Sequence, residues 1–451
     1  MHIHILGICG TFMGGIAMLA RQAGFTVTGA DQNVYPPMST ELENAGIRIH
    51  QGYDADQLDE TRADLYVVGN VMRRGMPVIE RILNEGLPYV SGPQWLEEHY
   101  LTHRHVLAVS GTHGKTTTSS MLAWILERCG KNPGFLIGGI PGNFGISARS
   151  TDSPWFVIEA DEYDCAFFDK RSKFLHYHPR TLIINNIEYD HADIFDSVRD
   201  IQKQFHHLVR TVPGNGLIIA PETDKNVRGA LDMGCWTPIE YTGSPSGFDV
   251  RALKDDWSVF EVMHAGTPQC RVAFDCTGEY SARNALMAML AARSAGVSLE
   301  ESAGAMSEFV LPKRRMELKG SAGGVDVYDD FAHHPTAVRV TLHGLREHLG
   351  KNRRIVAVFE PRSNSMKMGA NAEMLKGSFD DADDTFIYAS PAVKWDADAL
   401  GTDRIKIEHD FERLVSQVAA ACPEGTAVLA MSNGSFNGFH MKLLDALKSR
   451  K

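Results

Sequence analysis

The residues with the plainest chemical purpose form one run, Ser110-Gly111-Thr112-His113-Gly114-Lys115-Thr116-Thr117-Thr118, directly behind the apolar stretch Val106–Val109. A strand, a glycine turn and a helix start in that order describe a phosphate-binding loop. Glycines let backbone N–H groups turn onto phosphate oxygens, and the helix N-terminus adds partial positive charge. Lys115 is expected to reach the β- and γ-phosphates of ATP, and the Thr116 hydroxyl to ligate Mg²⁺. The common Gly-x-x-x-x-Gly-Lys-Thr spacing would put a further glycine at 109, where this chain has Val109.

Two acidic strand ends follow. Phe156-Val157-Ile158-Glu159 runs into Ala160-Asp161-Glu162-Tyr163-Asp164, and Thr181-Leu182-Ile183-Ile184-Asn185-Asn186-Ile187 runs into Glu188-Tyr189-Asp190-His191. Carboxylates at the C-terminal edge of a strand beside a phosphate loop can hold Mg²⁺ against ATP phosphates. The metal set expected from this is Thr116, Glu159 and His191, with Asp161 and Glu162 read more as a solvated acidic loop.

Positioning these residues requires strands that alternate with helices, and the chain supplies them in three fresh starts. One is Ile3–Gly7 with a helix from about Gly14 to Ala23, and the next is Val106–Gly111 with a helix from about Lys115 to Cys129. The third follows Leu311-Pro312-Lys313-Arg314-Arg315, with strands at Val325–Tyr328 and Ile355–Phe359. The pattern predicts an α/β protein with mostly parallel sheets and boundaries near residues 100 and 311. Residues 235–275 read as short strands and loops inside the middle region.

Bulk composition narrows the function classes. The 451 residues are too many for one core, and 43% apolar with 22% charged is ordinary globular usage. A net charge of −11 leaves no basic surplus for a nucleic acid or an anionic membrane. No apolar run approaches the roughly 18–20 residues that span a bilayer, and no signal peptide is visible, so a cytoplasmic enzyme is expected. Seven scattered cysteines without a Cys-x-x-Cys pair point to reduced thiols.

Gly111–Thr118, Glu159–Asp164, Asn185–His191 and Asp329-Asp330-Phe331-Ala332-His333-His334-Pro335, in that order, resemble the Mur ligase family over essentially the whole chain. The likeness is to the branch that acts on UDP-N-acetylmuramate. Four further stretches, Gly7–Gly15, Val34–Thr40, Cys165–Lys173 and Glu360–Lys367, are similar to its peptide-adding, peptidoglycan-recycling members rather than its alanine-adding ones.

The resemblance implies an N-terminal Rossmann-like domain for the UDP substrate (1–100), a central P-loop ATPase domain (101–311) and a C-terminal Rossmann-like domain for the amine (312–451). It implies that a muramoyl carboxylate takes the γ-phosphoryl group of ATP and that the amine of L-alanyl-γ-D-glutamyl-meso-diaminopimelate attacks the acyl phosphate. Free L-alanine as the amine is the alternative, and the chain is expected to act as a monomer or weak homodimer. Gly111, Thr112, His113, Gly114, Lys115, Thr116 and Thr117 would hold ATP, with Asn284 on adenine and His333 and His334 nearby. Arg314, Arg315, Asp329 and Asp330 join Lys115, Glu159 and His191 as catalytic candidates. Gly7, Gly10, Thr11, Met13, Gly14 and Asp31 are expected around the UDP substrate, and Arg362, Asn364 and Lys367 around the tripeptide.

The chain departs from the relatives in places. Cys9 and Phe12 stand where a dinucleotide loop has glycines, and Met287 where alanine-adding relatives have a second asparagine. The Phe205-His206 region replaces the carbamylated lysine of some sister ligases, so that modification is not expected despite nearby Lys203. An oxidoreductase built on the N-terminal glycines and a non-catalytic nucleotide sensor are the readings of other classes.

Overall fold

The computed structural model describes residues 1–34 and 38–450; Tyr35, Pro36 and Pro37 of the Val34–Thr40 stretch lie outside the described residues. Among the described residues three large sheets follow one another along the chain, with a separate two-stranded hairpin. The first has five parallel strands in the order Arg48–Gln51, Thr26–Asp31, His2–Leu6, Leu65–Val68 and Tyr89–Ser91. Its central strands are buried on both faces, so Leu65–Val68 reads as an apolar run and His4 is buried between Ile3 and Ile5. The first helix, Thr11–Gln22, begins three residues before the expected start because Gly10 already occupies the extended N-cap position.

The second sheet has ten strands. Six parallel ones form its centre, Ile239–Thr242, Leu217–Pro221, Thr181–Ile184, His105–Ser110, Trp155–Glu159 and Gly134–Leu136. Phe248–Ala252, Val259–His264 and Thr267–Ala273 extend one edge, so the irregular 235–275 stretch is a strand meander. His105–Ser110 lies between Thr181–Ile184 and Trp155–Glu159, so the loop that leaves it emerges where both acidic strand ends also emerge. This reversal of strand order is where open α/β sheets bind ligands.

The third sheet has six strands in the order Glu317–Ala322, Val325–Asp330, Ala427–Met431, Ile355–Phe359, Asp384–Tyr388 and Ile405–Glu408, with only Glu317–Ala322 antiparallel to its neighbour. Among the described residues no helix is long and apolar enough to cross a membrane.

A hairpin, Asp164–Ala166 with Asp169–Ser172, reaches from the second sheet towards the first. The Phe168 ring meets Tyr89 edge-on at 4.8 Å. His176, buried behind the hairpin, sits between Glu97 (2.5 Å) and Asp169 (3.0 Å). The third region docks on the strand ends of the second, with Lys313 N donating to Ile140 O at 2.9 Å.

Candidate active site

The phosphate loop is held by the strand beside it. Thr112 N donates to Asn186 O at 3.2 Å and His113 N to Asn186 Oδ1 at 2.8 Å. Gly111 (φ +130°) passes so close to Asn185 and Asn186 that an added Cβ would lie 3.0–3.1 Å from them. Gly114 (φ +81°) caps the helix Lys115–Arg128, and a Cβ there would meet Asn284 Oδ1 at 2.8 Å. Asn284 therefore packs on the loop itself.

Lys115 Nζ donates to Gly111 O at 2.8 Å and to Glu162 Oε2 at 3.2 Å, with Asp161 Oδ1 at 3.7 Å. Burial works against its charge, but Glu162, Asp161 and Glu159 outweigh burial and hold its pKa above the ordinary lysine value. Lys173 Nζ pairs with Asp161 Oδ2 at 3.0 Å and lies over the Phe12 ring of the first region at 5.3 Å.

Thr116 Oγ1 donates to Glu159 Oε1 at 3.0 Å, and Gly138 N donates to Glu159 Oε2 at 2.7 Å. Burial raises the Glu159 pKa despite Lys115 and these donors. A half-buried carboxylate beside a threonine hydroxyl is a donor set that fits Mg²⁺. His191 stands elsewhere: its Nε2 lies 3.2 Å from Glu162 Oε1, and Asp161, Glu162 and His191 place ligand atoms within 4.8 Å of one another. The expected set of Thr116, Glu159 and His191 is thus two neighbouring groups joined through Lys115 and Glu162. Burial opposes protonation of His191, but Glu162, Asp190 and Asp161 raise its pKa.

From the third region Arg315 Nη2 reaches Thr116 Oγ1 at 3.3 Å, and its guanidinium lies 4.9 Å from the Phe331 ring centroid. Arg314 turns the other way, in a left-handed backbone (φ +61°), to Asp329 Oδ2 at 3.2 Å and Ser432 O at 2.6 Å. Only Arg315 of the pair faces the phosphate loop.

Asp329 and Asp330, expected at the site, are turned into the fold. Asp329 is held by Arg314 and by His440 at 3.2 Å, and Asp330 accepts from Met316 N and Ala332 N, both at 2.8 Å. Both cap the turn that aims Arg315. His333 and His334 do meet the second region: the His334 ring lies 4.6 Å from His113, and His333 Nε2 lies 3.9 Å from Asp190 Oδ2. Burial lowers the pKa of each to about 4.

At the first region the structure corrects two expectations. Asp31 is 8% exposed and accepts from Cys9 N and Asn33 N, both at 2.9 Å, so it fastens the altered loop instead of standing open for a ribose. Met13 is buried, and a Cβ on Gly92 would meet its Sδ at 2.7 Å, so its side chain is core and only its backbone faces the loop. Gly7 (φ +82°), Gly10, Thr11 and Gly14 form the turn and first helical turn above it. A Cβ on Gly14 would meet Met38 Sδ at 2.5 Å.

Among the tripeptide candidates, Arg362 lies across Gly434, where a methyl group would collide with its guanidinium, and 3.8 Å from Glu360. Lys367 is half-buried on the short helix Asn364–Met368, and Asn364 Nδ2 is occupied by Asp193 Oδ2 at 2.9 Å.

Glu188 escaped the sequence reading. His113 Nε2 and His334 Nδ1 each lie 3.4 Å from its Oε2, which also accepts from Thr336 Oγ1 at 2.7 Å. His113, among other groups, brings its pKa to about 2 against the effect of burial. Its position four residues past the apolar strand Thr181–Ile184 was the available signal.

Three family models match in chain order: "Mur ligase family, catalytic domain" over residues 2–104, "Mur ligase middle domain" over 109–292 and "Mur ligase, glutamate ligase domain" over 314–434. The chain is 53% identical to the UDP-N-acetylmuramate–L-alanyl-γ-D-glutamyl-meso-2,6-diaminoheptandioate ligase of Escherichia coli K12, covering 100% of this chain and 99% of that one. It is 31% identical to a UDP-N-acetylmuramate–L-alanine ligase of Paenarthrobacter aurescens, covering 99% and 97%. The crystal structure of a murein peptide ligase from Psychrobacter arcticus matches with a TM-score of 0.77 at 44% identity, covering 100% of this chain and 99% of that one. Three matched domains and full-length identity above one half leave one conclusion: the chain belongs to the Mur ligase family.

Proposed function

We propose that this chain is an ATP-dependent ligase joining the lactyl carboxylate of UDP-N-acetylmuramate to the α-amine of L-alanyl-γ-D-glutamyl-meso-diaminopimelate, in peptidoglycan recycling. The observation that carries the reading is the 53% identity across the whole chain to a ligase named for those two substrates, against 31% to a ligase named for L-alanine. The site supports the same chemistry, because phosphoryl transfer needs clustered, preorganised cations more than covalent groups.

The backbone N–H groups at the Gly114–Lys115 helix start would hold the ATP phosphates, those of Thr112 and His113 being taken by Asn186, with Lys115 neutralising the β and γ oxygens. Thr116 and Glu159 would hold Mg²⁺, which supplies further neutralisation of phosphate charge. Arg315, 3.3 Å from the Thr116 hydroxyl, would stabilise the charge that builds on the transferred phosphoryl group. The carboxylate oxygen attacks the γ-phosphorus and ADP leaves, giving an acyl phosphate; the amine then attacks the carbonyl carbon, phosphate leaves and the amine proton passes to solvent or phosphate. Pairing of the largely covered Lys115 with buried Glu162 would help to keep water from the mixed anhydride.

The three sheets support domain limits near residues 100 and 311, with UDP-N-acetylmuramate at the Gly7–Gly14 loop and the tripeptide near Arg362 and Lys367. The enzyme would act in the cytoplasm, where ATP is available, as a monomer or weak homodimer without nucleic-acid or membrane partners. Phosphate release from ATP that requires UDP-N-acetylmuramate and an amine together is the result expected. ATP hydrolysis unaffected by either would contradict ligation.

A further inference from the structure

The turn Glu188–Asp193 carries His191 between the second sheet and the third domain, and His191 adopts φ +54°. A left-handed backbone at a non-glycine residue persists only where its surroundings enforce it. The enforcing contacts come from far along the chain. Ser365 Oγ donates to Asp190 Oδ1 at 2.7 Å and accepts from Ala192 N at 3.1 Å, so it grips the residue on each side of His191. Asn364 Nδ2 donates to Asp193 Oδ2 at 2.9 Å, which also accepts from Tyr163 OH at 2.7 Å.

On its other side His191 meets Glu162, which is 1% exposed and whose second oxygen holds Lys115. Ser365 is itself 2% exposed and sits at the start of the short helix Asn364–Met368 of the third domain. A continuous path therefore leads from that helix through the turn to His191, Glu162 and the lysine of the phosphate loop.

We infer that Ser365, with Asn364 in support, is a positioning residue that latches the Glu188–Asp193 turn when the third domain is docked and so sets His191 against Glu162. The inference rests on the ligase reading above. It makes docking of the amine-binding domain a condition for ordering the phosphate site. Asn364, expected at the tripeptide, is assigned here to the latch.

The test compares Ser365→Ala, Ser365→Thr and Asn364→Ala with the wild type in the full-length enzyme, using ATP, Mg²⁺, UDP-N-acetylmuramate and tripeptide. Ser365→Ala is expected to lower kcat by about tenfold to a hundredfold, the usual cost of a misplaced catalytic group. The KM for UDP-N-acetylmuramate, bound by the first domain, should stay within about twofold, a range too small to signal lost binding. Ser365→Thr should recover most of the rate.

Hydrogen exchange of the Tyr189–Asp193 amides, followed without substrates, should speed up in Ser365→Ala and return with Ser365→Thr. If Ser365→Ala fails to fold, exposed Asn364 decides: a lower kcat with unchanged KM in Asn364→Ala supports the latch, and wild-type kcat overturns it. A kcat for Ser365→Ala within about twofold of wild type, or unchanged exchange of the turn, also overturns it. A wild-type enzyme inactive with these substrates would instead sink the ligase reading, while the exchange result would still judge the latch.

Discussion

Arg315 Nη2 lies 3.3 Å from Thr116 Oγ1, two residues 199 positions apart and on different domains. The hydroxyl it touches also donates to Glu159, so one atom joins the third domain, the phosphate loop and that carboxylate. Its neighbour Arg314 is spent on Asp329 and Ser432 O. Arg315→Ala should therefore lower kcat by about a hundredfold or more, in line with the loss of a charge-stabilising donor. Arg314→Ala should chiefly destabilise the third domain, read as a lower melting temperature. The reverse pattern, with Arg314→Ala kinetically worse and Arg315→Ala near wild type, would reject the assignment.

Glu159 is half-buried, and desolvation raises its pKa. Glu159→Gln keeps the shape and removes the charge that suits a divalent cation. The Mg²⁺ concentration for half-maximal rate should rise at least about tenfold, as for loss of a charged metal ligand. An unchanged Mg²⁺ titration would remove Glu159 from the metal set.

His176 joins two regions of the chain through Glu97 and Asp169 and is 2% exposed. Replacing it with leucine would leave two carboxylates without their shared partner. Glu97 is partly exposed and both carboxylates keep a second partner, so a loss of about 1–3 kcal/mol is expected, the cost of an unmade buried hydrogen bond, measured as the urea midpoint of the first unfolding transition. A shift of that midpoint too small to resolve would show that the hairpin is held by its aromatic contacts alone.

His4 is fully buried between Thr28 and Gln57, and burial lowers its pKa to about 4. An unfolded histidine titrates near 6.5, so the unfolded chain takes up a proton first as the pH falls. The folded state should lose about 3 kcal/mol from this residue between pH 6.5 and 4, with stability fully present above pH 6.5. His4→Gln should flatten that part of the stability curve. An identical slope in wild type and variant would contradict the burial account.

Arg362 lies across Gly434, and among the described residues its one acidic neighbour is Glu360 at 3.8 Å, leaving its guanidinium able to meet a substrate carboxylate. Arg362→Ala should raise the KM for tripeptide about tenfold or more and leave the KM for ATP alone. Gly434→Ala, which crowds the same guanidinium, should act in the same direction. Unchanged tripeptide KM in Arg362→Ala would place the peptide elsewhere.

The phosphate loop was legible because its signal is local: a strand, two glycines and Lys115-Thr116 within one turn. The alternating strands and helices likewise exposed three α/β domains. Side-chain direction was not legible. Asp31, Asp329 and Asp330 end strands as ligand-binding acids do, yet backbone amides, Arg314 and His440 claim them. The Glu188 cluster escaped because its partner Thr336 lies 148 residues away and only domain docking brings them together. His191 was picked out, but its pairing with Glu162 depends on a left-handed backbone that no local pattern announces.

The most direct test of the central claim is a comparison of amines in one assay. With ATP, Mg²⁺ and UDP-N-acetylmuramate present, phosphate release is measured with L-alanyl-γ-D-glutamyl-meso-diaminopimelate and with L-alanine. The account predicts that the tripeptide gives the far higher kcat/KM and that UDP-muramoyl-tripeptide is the product identified by mass. A higher kcat/KM with L-alanine would contradict it.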